Sequence, residues 1–347
     1  MFASLPITRS GMTAAILTFF MLCLCAQMAT ARPLKFSLIS KDIEDVNFIT
    51  AWRGCHDAAL RNGDECLHMG DTQIGYFRGQ RDAIHKAIDM NVDGIAISVT
   101  NSSFIAQDGL PKAHANKIPV ITFDSDLENP DRHLRRTYIG PNNFEIGTRL
   151  AELLKSVRPD GARICIISGG RFDPNLNERI AGIRHTLRGT LPVPDDMPAP
   201  LHPPAALKGE NGWREDERCP LFNRGDEELG LAQLSQAIQN PTLDFIVPVG
   251  DWLLGDTKRL NKIITASGPR APKLFMATGS PTDEQEELTA NGTIDGYVAI
   301  DFYRIGELVY RQLRNYALGQ NVVIAEEPAL QVRQSSALLD QESQPPM

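Results

Sequence analysis

The sequence predicts an α/β protein of two lobes, each a parallel sheet covered by helices on both faces. Three observations carry that reading. Short apolar runs without polar alternation are separated by helical patterns, as expected for strands buried on both faces. The same strand and helix rhythm then runs twice, a repeat of architecture and not of residues. The chain of 347 residues also exceeds one comfortable core and suggests two domains.

The first segment reads as an export signal. Arg9 gives a basic start, residues 12–26 are almost uncharged and apolar, and Ala29-Thr30-Ala31 has the small-x-small form of a cleavage site. The expected mature chain begins near Arg32, and residues 1–31 are assigned to the signal peptide. Cys25 follows Leu24, which does not fit a lipid-anchor site. The expected location is the periplasm. No later stretch approaches the roughly 20 apolar residues of a membrane span.

In the first lobe, strands are expected at residues 34–40, 66–69, 94–98 and 118–123, with a short fifth at 138–140. Helices are expected from the first strand to about residue 61, at 83–90, and between the third and fourth strands. Right-handed crossovers place these helices on both faces. Residues 140–143 read as a turn. The next helix carries Ile146, Leu150, Leu153, Leu154 and Val157 on one face. Second-lobe strands are expected at 163–168, near 218–222, and at 245–249, 273–277 and 296–300.

Residues 191–204 hold six prolines in fourteen residues and predict a surface insertion. A last helix over 302–318 turns Ile305, Leu308, Val309 and Leu313 inward, and a short strand follows at 322–324. The boundaries expected are 32–140 plus 302–322 for the first lobe, 141–301 for the second, and 323–347 for a returning hinge strand and a disordered tail.

Cys55, Cys66, Cys165 and Cys219 remain after the signal, and four cysteines allow three pairings. Cys55 and Cys66 are eleven apart across a helix-to-strand turn and are the favoured pair. Cys165 lies in a buried strand pattern and also reads as a small hydrophobe. No pair has C-x-x-C spacing, which argues against redox or zinc chemistry.

With 35 basic and 43 acidic residues the net charge is −8, which disfavours nucleic acid and anionic lipid as partners. No G-x-S-x-G, H-E-x-x-H or phosphate-loop motif occurs, and the seven histidines lack metal spacing. No catalytic activity, cofactor or metal is expected. Gly169-Gly170 is a weak phosphate signal, although a helix start there could hold an anion.

Ligands of open parallel sheets bind outside the carboxyl ends of the strands. The loops at those ends offer Asp45, Asn47, Phe48, Asp71, Thr72, Thr100, Asn101, Asp124, Ser125 and Asp126 in the first lobe. The second lobe offers Asn175, Asn177, Arg179, Asn223, Asp251, Trp252, Ser280 and Asp301. Carboxylates accept from vicinal hydroxyls, amides and guanidinium donate to oxygens, and rings cover C–H faces. The mixture suits a polyol. The binding residues expected are Asp45, Asn47, Phe48, Asn101, Asp124, Ser125, Asp126, Asn175, Asn177, Arg179, Asp251, Trp252 and Asp301.

Four stretches carry a family resemblance: residues 118–126 ending Asp124-Ser125-Asp126, residues 138–147, residues 166–182 with Asn177-Glu178-Arg179, and residues 291–299. Together they resemble periplasmic solute-binding proteins of the ribose-binding type, whose fold is shared with the ligand core of LacI-type repressors. The resemblance implies two Rossmann-like lobes with parallel sheets, a three-strand hinge (periplasmic binding protein type I) and closure on a sugar or polyol. It implies Asp124 and Arg179 as ligand contacts and Phe48 as a ring packed on the sugar. It further implies delivery to an ABC permease or, alternatively, presentation to a membrane sensor such as a chemoreceptor or histidine kinase. A monomer is expected. The family often has arginine where this chain has Ser125, and glutamine where it has Ile300-Asp301. Those departures speak against a plain ribose-like specificity.

Overall fold

The computed structural model describes residues 32–72, 77–189, 204–321 and 328–336. The architecture lies in the compact unit that begins at Leu34. Its first sheet contains β1 (Lys35–Ile39), β2 (Glu65–Met69), β3 (Gly94–Ile97), β4 (Val120–Phe123) and β5 (Tyr138–Ile139). All pairings are parallel, in the order β2-β1-β3-β4-β5. Strands β3 and β4 are buried along their whole length, which explains their lack of alternation. The connecting helices are α1 (Val46–Leu60), α2 (Phe77–Asp89), α3 (Ser102–Gln107) and α4 (Gly109–Ala115).

The second sheet is built from β6 (Arg163–Ser168), β7 (Lys208–Glu210), β8 (Trp213–Glu215), β9 (Leu221–Phe222), β10 (Phe245–Pro248), β11 (Lys273–Gly279), β12 (Gly296–Ile300) and β13 (Leu330–Gln334). Its order is β13-β12-β11-β10-β6-β8-β7, with β9 also paired to β6. The centre is parallel, whereas β13 and β7 run antiparallel to β12 and β8. Helices α5 (Asn143–Val157), α6 (Pro174–Arg188), α7 (Glu227–Ile238), α8 (Thr257–Ser267) and α9 (Asp283–Ala290) belong to this half. Helix α10 (Phe302–Ala317) leaves β12 and packs against α1, β3 and β4 of the first sheet. The chain therefore crosses between the sheets after β5, after β12 and between α10 and β13.

Each half is closed by a helix pair in very close approach. A Cβ on Gly54 would strike the backbone carbonyl of Tyr303, and one on Gly306 would strike that of Ala51, so α1 and α10 touch backbone to backbone. In the second half, Gly147 of α5 faces the Arg179 carbonyl and Gly182 of α6 faces that of Phe144. These positions need glycine because any side chain would push the helices apart. The repeat expected from the strand rhythm thus extends to how each half packs its helices.

Several local expectations are corrected. Helix α2 begins at Phe77 and not near residue 83. The helix between β3 and β4 is two short ones, which meet at Asp108-Gly109. The strand expected near 218–222 is only Leu221–Phe222, and the larger unexpected piece is the β7–β8 hairpin. In β8 the buried carboxylate of Glu215 accepts two bonds from Arg184, each 2.7 Å, an internal ion pair. The tail is ordered through 330–336: β13 lies on β12, and Ser335 donates its N–H to the Asp295 carbonyl. The pairing Cys55–Cys66 is present with Cα atoms 6.0 Å apart. Cys165, read also as a small hydrophobe, is bonded to Cys219 with Cα atoms 5.4 Å apart. The strand expected at 322–324, the signal at 1–31 and most of the proline-rich insertion (190–203) lie outside the described residues. Among the described residues no helix is long and apolar enough to cross a membrane.

Candidate functional site

The carboxyl ends of the two sheets face a common cavity of about 480 Å³. The first sheet contributes Lys41, Asp42, Asp45, Asn47, Phe48, Thr100, Asn101 and Asp124. The second contributes Asn175, Arg179, Asp251, Trp252 and Thr278, and Phe302 enters from the start of α10. This volume is in the range of small-molecule clefts. Carboxylates, amides and rings together suit a polar solute with apolar C–H faces.

Asp124 forms the floor. It follows β4 with φ of +56°, a left-handed conformation uncommon outside glycine. Three bonds hold that backbone: its N–H donates to the Ile139 carbonyl (3.2 Å), and its carbonyl accepts from Tyr138 Oη (3.0 Å) and Asn143 Nδ2 (2.8 Å). Its carboxylate accepts from Ser98 Oγ (2.9 Å) and Asn175 Nδ2 (3.2 Å), and lies 3.5 Å from Arg179 Nη2. Arg179 also donates to Asn143 Oδ1 and to the Val249 carbonyl, both at 2.9 Å. Both side chains are almost completely buried. A buried ion pair persists only when such additional bonds satisfy it. Burial, helped by the nearby Asp124 charge, holds the Tyr138 hydroxyl well above its usual pKa, so it stays a neutral donor.

A second polar corner surrounds Asn47. Asp45 caps α1, accepting from the N–H groups of Asn47 (2.8 Å) and Phe48 (3.3 Å). Asn47 Nδ2 donates across the cleft to Asp251 Oδ2 (2.8 Å), which also accepts from the Gly279 N–H (3.2 Å). Burial, with the neighbouring Asp251 charge, pushes the Asp45 carboxyl up to about 7. On another edge Lys41 Nζ bridges to Asn175 Oδ1 (2.8 Å) and Asp173 (3.2 Å). The Phe48 ring packs edge-on against Phe123 and Phe302, with centroids 6.2 and 6.1 Å away, so it is a core ring as well as a wall of the cavity.

Of the residues expected from sequence, Asp45, Asn47, Phe48, Asn101, Asp124, Asn175, Arg179, Asp251 and Trp252 line the cavity. Four do not. Ser125 donates to the Val99 carbonyl (2.7 Å) and accepts from the Asn175 N–H. Asp126 is held by Arg135 and Thr122. Asn177 donates to the Arg171 carbonyl (3.0 Å), and Asp301 caps α10 through the Arg304 N–H (2.9 Å). Asp126, Asn177 and Asp301 spend their polar atoms on residues near them in the chain, whereas the Ser125 hydroxyl is used between Val99 and Asn175, distant in sequence. Lys41, Thr278 and Phe302 were missed. Lys41 stands two residues beyond β1, a position the strand-end rule covers; Thr278 lies inside β11, where the rule does not look. Among the described residues no group of three or more His, Cys, Asp or Glu could hold a metal ion.

Two lobes joined by repeated crossings, with a polar cleft between their strand ends, define a solute-binding protein of the bilobal type. The chain belongs to the periplasmic binding protein domain family, whose profile matches residues 36–321. No curated protein sequence matches it significantly. Solved structures with the same fold include an ABC transporter solute-binding protein from Agrobacterium vitis with bound D-fucose, at 16% identity and TM-score 0.72, covering 86% of this chain and 95% of that one. Another, from Burkholderia graminis in complex with D-arabinose, has 22% identity and TM-score 0.70, covering 88% and 97%. The XylFII–LytSN complex includes a similar chain, at 15% identity and TM-score 0.69, covering 88% and 98%.

Proposed function

We propose that this protein captures a monosaccharide or polyol in the periplasm, closes its lobes on it, and delivers it to an ABC permease. The observation that carries this reading is the Asp124–Arg179 pair, buried at the floor of a cleft that also presents Phe48, Trp252 and Phe302. A carboxylate and a guanidinium side by side can accept from and donate to neighbouring hydroxyls, while rings cover the C–H faces. Asp45, Asn47, Asn101, Asn175 and Asp251 are proposed as further contacts. Lys41 to Asp173 and Asn47 to Asp251 are bonds between the halves, so a ligand bridging the same halves would favour the closed form. The role is binding without catalysis. The similar structures holding D-fucose and D-arabinose support the sugar class.

The test is a thermal-shift screen of the purified, ligand-stripped protein against a broad sugar and polyol panel. The expected result is a stabilising shift with one sugar or a small related set, absent in Asp124→Ala. No shift anywhere on the panel would end the sugar reading. A second reading is presentation of the ligand to a membrane sensor, and the likeness to a chain solved in complex with another protein, XylFII–LytSN, is compatible with a protein partner of that kind. Deleting the gene separates the two: loss of sugar uptake supports import, while intact uptake with lost induction supports sensing.

A further inference from the structure

We propose that the corner between Asp45 and Asp251 receives a cationic amino group, so that the solute is an amino sugar or another amino-bearing polyol. This rests on the sugar-cleft reading and narrows it. The corner is built by both halves of the cleft around Asn47, whose N–H is bound by Asp45 and whose Nδ2 is bound by Asp251. Asp42 lines the same cavity and adds a third carboxylate. Among the described residues, no lysine or arginine pairs with any of the three. Lys41 is taken by Asp173 and Asn175, Arg179 by Asp124, and Arg171 lies over the Phe222 ring, while Arg224 lines the cavity without an ion pair to any of the three.

The open acceptors point to the same ligand chemistry. Asp45 uses Oδ1 for its capping bonds and Asp251 uses Oδ2 for Asn47 and Gly279, which leaves one oxygen of each without a partner among the described residues. Thr278 is 4% exposed and lines the same cavity, and its side-chain hydroxyl has no hydrogen-bond partner among the described residues. An ammonium has three donors and no acceptor, and so matches two carboxylate oxygens and a hydroxyl. Phe302 lies beside Gly279, and Phe48 and Trp252 line the same cavity, giving ring faces that also attract a cation. The Asp45 carboxyl, raised to about 7 by burial and by Asp251, reports the same shortage of positive charge. The floor differs, because Asp124 already has Arg179, Ser98 and Asn175. One end therefore suits hydroxyls and the other a cation.

Calorimetric titration at neutral pH tests this with matched pairs: glucose and glucosamine, galactose and galactosamine, mannose and mannosamine. At least one amino sugar is expected to bind about tenfold or more tightly than its neutral parent, the scale of one charged hydrogen bond. Asp45→Asn and Asp251→Asn are each expected to collapse that ratio; asparagine caps a helix as well as aspartate, so the first should keep α1 intact. Neutral sugars binding as well as or better than their amino counterparts in every pair would overturn the inference and leave the sugar reading standing. A preference that survives both substitutions would overturn it too. If nothing binds, in these pairs or on the broad panel, the sugar reading falls and the inference falls with it.

Discussion

Asp124 shows what a single residue must satisfy to work in such a cleft. Its left-handed backbone is tolerated because Ile139, Tyr138 and Asn143 bind its N–H and carbonyl. The carboxylate is thereby aimed at Arg179 from the other half of the cleft. Replacing Asp124 with Ala removes the proposed sugar contact and leaves a buried guanidinium short of its counter-ion. Calorimetry is expected to show at least a hundredfold loss of affinity, about 3 kcal/mol. Asp45 allows a test by pH. Its carboxyl titrates near 7 in the folded chain against an ordinary 3.8, so between those values the folded state holds a proton that the unfolded state has lost. Its contribution to stability is full below the ordinary value and is lost as pH rises through about 7. Asp45→Asn should therefore raise the melting temperature of the ligand-free protein by a few degrees at about pH 8 and leave it unchanged at about pH 4. Equal effects at both pH values would remove Asp45 from the titration. The sequence placed Asp124, Arg179 and Asp45 correctly at strand ends and helix starts. It could not separate cleft residues from caps among neighbours such as Ser125 and Asp126, because both roles use the same polar side chains at the same positions.

At the scale of elements, the α5–α6 pair connects packing to the site. Gly147 lies against the carbonyl of Arg179, so the contact that sets the helix spacing also sets where the guanidinium starts. Gly147→Val is expected to cost about 1–3 kcal/mol in denaturant unfolding and to weaken sugar binding, because α6 must move. Stability loss with unchanged affinity would show that Arg179 is placed independently of this contact. The bond between Cys165 and Cys219 links β6 to the segment before β9 and closes a separation of 54 residues. Replacing both cysteines with serine should cost about 4 kcal/mol on the chain-entropy account, against about 3 kcal/mol for Cys55–Cys66, which spans 11. Melting curves of the two double variants give that comparison. The parallel strands and their order of appearance were legible because buried strands are apolar throughout. The β7–β8 hairpin was not, since its one buried charge, Glu215, is hidden by pairing with Arg184; a returning strand was expected but at 322–324, because β13 is largely exposed and carries no apolar run.

In the whole molecule, the proposed function requires a closure that ligand completes. The halves are already linked by Lys41 to Asp173, Asn47 to Asp251 and Arg179 to Asp124. Closure is thus a balance between a few polar contacts and the entropy of the open state. Lys41→Met removes one link from an ion pair that is mostly shielded from water. Solution scattering should then find a larger radius of gyration without ligand, and the affinity should drop about threefold to tenfold. An unchanged radius would mean that this link does not hold the closed form. The two-lobed plan could be read from the repeated strand and helix rhythm, but the cross-cleft bonds could not, because their partners lie 132 and 204 residues apart in the chain. Mass spectrometry of the small molecule released by mild denaturation, from protein purified in its native state, identifies the ligand outright. The expected release is a single sugar or amino sugar at one equivalent per chain, and none from Asp124→Ala. A peptide, a lipid or an aromatic acid released in that amount would contradict the proposed function.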